Sequence, residues 1–302
     1  MSKVRKFIKK YWVAYLELLP FAVLFITFTV LPVICAFVLS FTNYNMFQMM
    51  DFIGLDNYRT LFLNDEIFFQ ALRNTLVYAV IVGPLGYLLS FFAAWVLNML
   101  KFRKGFALVF YAPSIISGVA MSVVWSYIFS PDSYGLINHV LLSLGVIDNQ
   151  VLWTQDQRYI LPVIIIVSIW MSMGTGFLVF LAGLQNINKE YYEAAALDGV
   201  KSKYQELKYI TLPCMKPQLL FGAITAVTNA FGVFDVSVTM AGFPSPNYAG
   251  HTIVAHLYDY AFVRFQMGYS CAVATVLFFL TFVLGRGIMR AFSEKEERRE
   301  RR

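Results

Sequence analysis

Six apolar stretches divide the chain, at roughly 13–41, 75–98, 105–129, 159–184, 218–241 and 269–291. A helix needs about 20 apolar residues to cross a bilayer, and each stretch meets that length. The pattern predicts an all-α polytopic membrane protein with six transmembrane helices. Residues 1–302 read as a single transmembrane domain with no repeat. The first stretch follows the basic segment MSKVRKFIKK, as a signal peptide would. Its apolar core is about twice the usual length of such a peptide, and no small-residue cleavage site follows. It is expected to stay as a span, bent by Pro20 or Pro32.

Between the spans, the basic residues fall almost all on one side. Twenty Lys and Arg lie in the N-terminal segment, around Lys101, Arg103 and Lys104, in the segment 185–217 and in the tail from Arg286. The other side holds only Arg59, Arg73, Arg158 and Arg264. The bias predicts cytoplasmic N- and C-termini. The outer segments 42–74 and 130–158 look like short, partly amphipathic folded pieces. The tail SEKEERRERR reads as a solvated helix end.

Composition agrees: 59% of the residues are hydrophobic and 14% charged, against about 25% charged in a soluble domain. The net charge of +6 follows from membrane topology and is not taken as a nucleic-acid footprint. Cys35, Cys214 and Cys271 show no disulfide or metal spacing. His139, His251 and His256 form no ligand pattern and read as surface or loop residues. No phosphate-binding loop occurs, and no nucleophile–base pair assembles within one compartment. The chain is therefore expected to be no enzyme and to need no cofactor or metal. Energy for uphill transport would enter from a partner or an ion gradient. The Gly pair in MSMGTGFLV reads as helix packing.

The inner segment 185–217 has a structure of its own. Asn188 is placed to N-cap a short helix whose first turns carry Glu190 and Glu193. Tyr192, Ala195, Ala196 and Gly199 share one flat face. Gly199 suits the left-handed position that ends a helix. Ser202 and Gln205 form a capping box for a second helix, running to about Ile210 and ended by Pro213. Pro217 then opens the fifth span. The segment is either a docking element for a cytoplasmic partner or an amphipathic connector on lipid headgroups.

Residues 190–217 read EYYEAAALDGVKSKYQELKYITLPCMKP. EAAALDG, followed after twelve residues by LP and then KP, resembles the EAA loop of binding-protein-dependent ABC importer permeases. The likeness is to the carbohydrate branch, the maltose- and glycerol-phosphate-type inner-membrane subunits. FIGLDNYRTLF, ALRNTLVY, LAGLQNINKEYYEAAALDG and FGVFDV extend it over most of the chain. Val200 stands where the family usually has Ala, and AGFPSP where it often has GGP. The resemblance implies a type I ABC importer-like permease fold. Its partners would be a second permease subunit, two ATP-binding cassette ATPases and an external solute-binding protein. It also implies ATPase-coupling roles for Glu193, Ala194, Ala195, Asp198 and Gly199, and transport of a sugar or oligosaccharide.

A substrate path has its own candidates. Gln218, Thr225, Thr228, Gly232, Asp235 and Thr239 fall on one helical stripe of the fifth span, with Asn229 beside it. An ionisable group inside a span is a functional candidate, but small and polar residues also pack helices together. The stripe thus lines a pathway, forms a subunit interface, or simply packs. Trp125 and Trp170 either stack on a sugar face or fill space. The alternative reading is a secondary carrier driven by an ion gradient, with Asp235 as its coupling site.

Overall fold

The computed structural model describes residues 3–100, 105 and 115–300. These run in the order α1 (Lys3–Phe25), a π-turn (Ile26–Val30), α2 (Leu31–Leu39), α3 (Asp56–Leu63), α4 (Glu66–Met99), α5 (Gly118–Ile128), α6 (Leu136–Ser143), α7 (Ile160–Gln185), α8 (Lys189–Leu197), α9 (Lys203–Glu206), a π-turn (Leu207–Thr211), α10 (Leu212–Cys214), α11 (Lys216–Phe231), α12 (Asp235–Ala241), a 3-10 turn (Pro246–Tyr248), α13 (Ile253–Tyr258), a π-turn (Asp259–Val263) and α14 (Met267–Glu300). Among the described residues the only β pairing is an isolated bridge between Thr42 and Phe52. Five helices there are long and apolar enough to cross a membrane: Tyr11–Leu39, Glu66–Met99, Ile160–Gln185, Lys216–Ala241 and Met267–Ala291. Of the expected third span, residues 106–114 lie outside the described residues, as do Lys101, Arg103, Lys104, Arg301 and Arg302. Its described part is α5.

The chain forms two compact units, Met1–Asp65 with Leu257–Val276, and Glu66–His256 with Leu277–Arg302. In the first, no residue of Tyr11–Leu39 is buried. The expected bend is a π-turn placed immediately before Pro32. The Leu31 amide reaches back five residues to the Ile26 carbonyl. A proline ring clashes with the carbonyl four residues earlier, and a wider turn relieves that clash. Beyond this helix, Asn57 donates to the carbonyls of Ser40 and Thr42, both at 2.8 Å, and the Ser40 hydroxyl meets the Tyr58 hydroxyl at 2.7 Å. A buried carboxylate, Asp65, accepts from Tyr269 Oη at 2.5 Å and Tyr260 Oη at 3.2 Å. Burial first, and then the Asp65 charge, push the Tyr260 phenol up to about 12. It therefore stays protonated and continues to donate.

The second unit is built on α4, α7 and α11, which approach closely where side chains are small. A Cβ on Gly222 would stand 2.5 Å from the Phe180 ring, and one on Gly83 3.8 Å from Ala230. One on Gly176 would stand 3.5 Å from Ser90 Oγ, and one on Gly183 2.9 Å from Gln218. Gly176 belongs to the expected packing pair. Around this seam lie Phe91, Phe177, Phe180, Leu207 and Met215 on one side, and Val82, Ile164, Val167 and Phe231 on the other, all buried.

Where the unit leaves regular helix, buried side chains satisfy the backbone. Asn74 donates to the carbonyls of Tyr248 and His251, each at 2.9 Å. Thr75 Oγ1 accepts the Ile253 amide at 2.9 Å. Helix α4 thus starts at Glu66 and not at the expected 75, because its first turns anchor the segment 245–253. Asn138 does the same for 130–153: it donates to the carbonyls of Ser130, Asp132 and Val151 and accepts from Trp153 Nε1 at 2.8 Å. Two of the expected surface histidines are in fact buried. His251 and His256 pack edge to face, their ring centres 5.7 Å apart, and His256 also lies against Phe68. Only His139 is exposed.

The tight seam sets an expectation. Gly222→Val should destabilise by about 1–3 kcal/mol through overpacking, read as a lower thermal unfolding midpoint in detergent. Gly285→Ala, with nothing within 4 Å of the added carbon, should stay within about 0.5 kcal/mol of the wild type. Equal midpoints for the two variants would deny the seam its role.

Candidate functional site

The segment between α7 and α11 folds as its caps dictate. Asn188 Oδ1 accepts the Glu190 amide at 3.1 Å, and its Nδ2 donates to Glu190 Oε2 at 3.0 Å. This starts α8. The helix ends in a left-handed Gly199, φ +91°. The Val200 amide bonds the Ala195 carbonyl at 2.9 Å and the Gly199 amide bonds that of Ala196 at 3.3 Å. That pair of bonds is the Schellman arrangement, which satisfies the helix's last carbonyls. The expected capping box is present: Gln205 N donates to Ser202 Oγ at 3.2 Å, and Ser202 N to Gln205 Oε1 at 3.2 Å.

The next helix departs from expectation. Proline 213 does not end it. The turn Leu207–Thr211 widens to a π-turn, closed by the Leu212 amide on the Leu207 carbonyl, and helix resumes with Pro213 in its first turn. The break comes at Met215, φ −88° and ψ 5°, and Pro217 lies in the first turn of α11 as its sequence position implies.

Helix α8 has no buried residue. Tyr192 and Ala195 are half-buried, whereas Glu193, Ala194, Ala196, Asp198 and Gly199 are exposed. The flat face read from the sequence is therefore split between the protein and the solvent. Leu197, which the sequence reading passed over, is 90% exposed. It stands one helical turn from the exposed Glu193, beside three alanines.

A cavity of about 710 Å³ opens among α4, α7 and α11. Thr225 and Asn229 line it, together with residues from other helices that the stripe did not include: Tyr78, Tyr87, Ser90 and Phe180. Thr225 Oγ1 bonds the carbonyl of Phe221 at 2.9 Å and Thr228 Oγ1 that of Ile224 at 3.0 Å. Asn229 has no side-chain hydrogen bond among the described residues. No charged side chain is among the cavity's lining residues.

The stripe itself is interrupted. Helix α11 stops at Phe231, Gly232 caps it, and Phe234 (φ −138°, ψ −63°) precedes α12. Thr252 Oγ1 donates to the Val233 carbonyl at 2.9 Å and holds the break. Thr228, Gly232 and Asp235 are exposed and Thr239 half-buried, none lining the cavity. A Cβ on Gly118 would stand 3.5 Å from Asp235 Oδ2. Trp125 and Trp170 meet edge to face at 5.4 Å, away from the cavity lining.

Residues 86–298 match the model of the family described as binding-protein-dependent transport system inner membrane component. The chain is 36% identical over 282 residues to the "Probable ABC transporter permease protein YesP" of Bacillus subtilis (strain 168), covering 92% of this chain and 89% of that protein. It is 32% identical over 276 residues to the arabinooligosaccharides transport system permease protein AraP of the same organism, covering 89% and 85%. In structure it is similar, with a TM-score of 0.80 and 24% identity, to a chain of a bacterial ABC transporter involved in the import of the acidic polysaccharide alginate, covering 97% of this chain and 99% of that one.

Because Gly199 closes α8 through a positive φ, Gly199→Val should fray that end at a cost of about 1–2 kcal/mol. Hydrogen exchange at the Val200 amide should speed up by roughly five- to thirtyfold, with α11 amides unaffected. Unchanged protection at Val200 would mean that the cap does not depend on glycine.

Proposed function

This chain belongs to the binding-protein-dependent transport system inner membrane component family, and we propose that it is one permease subunit of an ATP-driven importer of a carbohydrate. The reading is supported by AraP, an arabinooligosaccharide permease at 32% identity, and by the uncharged, hydroxyl- and aromatic-bearing cavity of this chain. Such surfaces suit sugars, which present hydroxyls at their edges and C–H faces to aromatic rings. The importer comprises this chain, a second permease, two ATPase subunits and an external solute-binding protein. This chain supplies half of the path, and ATP hydrolysis lies on the partners.

The single observation carrying the coupling role is α8, capped at both ends yet without a buried residue. A rigid helix presented to the surface is suited to being held from outside. Glu193 offers a charge-assisted contact to a basic group. Ala194, Ala195, Asp198 and Gly199 keep the approach close, and Leu197 adds apolar contact. Twenty basic residues on the side of this helix argue that it and both termini are cytoplasmic. Residues 1–302 act as one transmembrane domain in this scheme.

Thr225 and Asn229 are the pathway candidates. Thr228, Gly232, Asp235 and Thr239, outside the cavity lining, fit the face toward the second permease, and Trp125 with Trp170 fits packing beside it. A gradient-driven carrier would need Asp235 as an ion site enclosed by the chain, and among the described residues this carboxylate is exposed.

Glu193→Ala should weaken ATPase docking by about ten- to a hundredfold, the size of one charged hydrogen bond, while membrane insertion persists. Co-purification of the ATPase and uptake of labelled oligosaccharide are the measurements. A chain that purifies alone and transports without any ATPase would refute the importer reading. Asn229→Leu should reduce uptake more than complex assembly, and the reverse order would make Asn229 structural.

A further inference from the structure

Helix α8 reaches the rest of its unit through very little. It buries no residue, and its chain ends leave at Asn188 and at the Gly199 corner. Among the described residues, one hydrogen bond joins it to the segment 203–214: Tyr192 Oη to Thr211 Oγ1, 3.0 Å. Thr211 is 2% exposed, and its hydroxyl donates in turn to the Glu206 carbonyl at 3.3 Å. With that proton committed, Thr211 Oγ1 is the acceptor and Tyr192 the donor. The relay Tyr192–Thr211–Glu206 ends on the π-turn Leu207–Thr211 that leads into α10 and α11.

Behind the bond there is space. A cavity of about 280 Å³ is lined by Tyr192 and Thr211, by Lys203 and Glu206, and by Trp95 and Leu184 from the ends of α4 and α7. Among the described residues, this space separates Tyr192 of α8 from the ends of α4 and α7. Lys203 and Glu206 pair with each other at 2.8 Å, in an exposed ion pair of small worth. Motion of α8 reaches the segment before α11 through the covalent chain at the Gly199 corner and through the Tyr192–Thr211 bond.

We propose that Tyr192 and Thr211 are positioning residues for coupling. Their hydrogen bond is the strut that makes α8 and the π-turn before α11 move as one body, so that displacement of α8 by the ATPase reaches the span lining the pathway. This rests on α8 being the ATPase contact. A glycine corner alone is a compliant joint, since glycine has the widest backbone freedom. A second attachment about two turns back from it, at Tyr192, removes rotation about that corner.

The test uses the assembled importer in proteoliposomes, with preparations matched for ATPase content, and reads solute moved per ATP hydrolysed. Tyr192→Phe keeps the ring and removes the donor; Thr211→Val keeps the shape and removes the acceptor. Each should lower solute per ATP by about three- to tenfold, the worth of one hydrogen bond. The double variant should be no worse than either single one, because one bond is lost in all three. Thr211→Ser, which keeps the hydroxyl, should restore the ratio. Wild-type ratios in both single variants, additive losses, or a Thr211→Ser that behaves like Thr211→Val would overturn the strut. Ala194→Asp, at an exposed position of α8, separates this from the underlying reading: if that charge leaves ATPase assembly intact, α8 is not the ATPase contact. If it blocks assembly while Tyr192→Phe is neutral, only the strut fails.

Discussion

Close approach of α4, α7 and α11 at glycine is the constraint from which the transmembrane part of this chain follows. In hydrocarbon, apolar side chains gain nothing from leaving lipid for protein, so helices associate by packing and by polar contacts. Gly83, Gly176, Gly183 and Gly222 each place a backbone against a neighbouring side chain. Met215 and Phe180 fill the gaps that the glycines leave. The same small residues border the large cavity: Gly83, Gly176 and Gly222 line it together with Tyr78, Tyr87 and Phe180. Packing and cavity are thus two consequences of one distribution of side-chain sizes.

The second constraint is that backbone groups need partners wherever helix stops. Three devices meet it. Wide turns precede Pro32 and Pro213, and each moves a carbonyl away from a proline ring without abandoning the helix. Thr252 supplies a donor to Val233 at the break between α11 and α12. Asn74, Asn138 and Asn57 each bind two or more carbonyls of irregular chain. Asparagine serves here because its amide offers two donors and an acceptor from one short stem.

These devices explain what was legible in the sequence. The caps of α8 and α9 were readable because a cap is settled within about five residues: Asn188 with Glu190, Ser202 with Gln205, Gly199 with Ala196 and Val200 with Ala195. Pro213 was not, since a proline is accommodated either by ending a helix or by widening the turn before it, and the sequence does not choose between them. The break after α11 was hidden because Thr252, which holds it through the Val233 carbonyl, lies nineteen residues on from Val233. The cavity was only half visible: Thr225 and Asn229 belong to one helix, whereas Tyr78, Tyr87 and Ser90 come from another. His256 was misjudged because it packs on Phe68, which is remote in sequence, and His251 because it packs in turn on His256. Motifs such as FIGLDNYRTLF and ALRNTLVY proved to carry capping residues, Asn57, Tyr58, Asn74 and Thr75, and these hold the segments flanking the spans.

A helix that buries nothing is costly to keep ordered, since each fixed residue loses about 1–2 kcal/mol of backbone entropy and short helices are marginal in water. Helix α8 offsets that with local bonds at both ends and one side-chain bond in its middle, while leaving Leu197 and Glu193 facing out. A connector resting on headgroups would need neither the tight glycine corner nor an acidic first turn, because lipid surfaces favour basic faces. The arrangement makes sense when the order is prepaid so that a protein partner meets a formed surface. Rigidity at α8 then has value only if it is transmitted, and for that reason the small contact between Tyr192 and Thr211 matters more than its size implies.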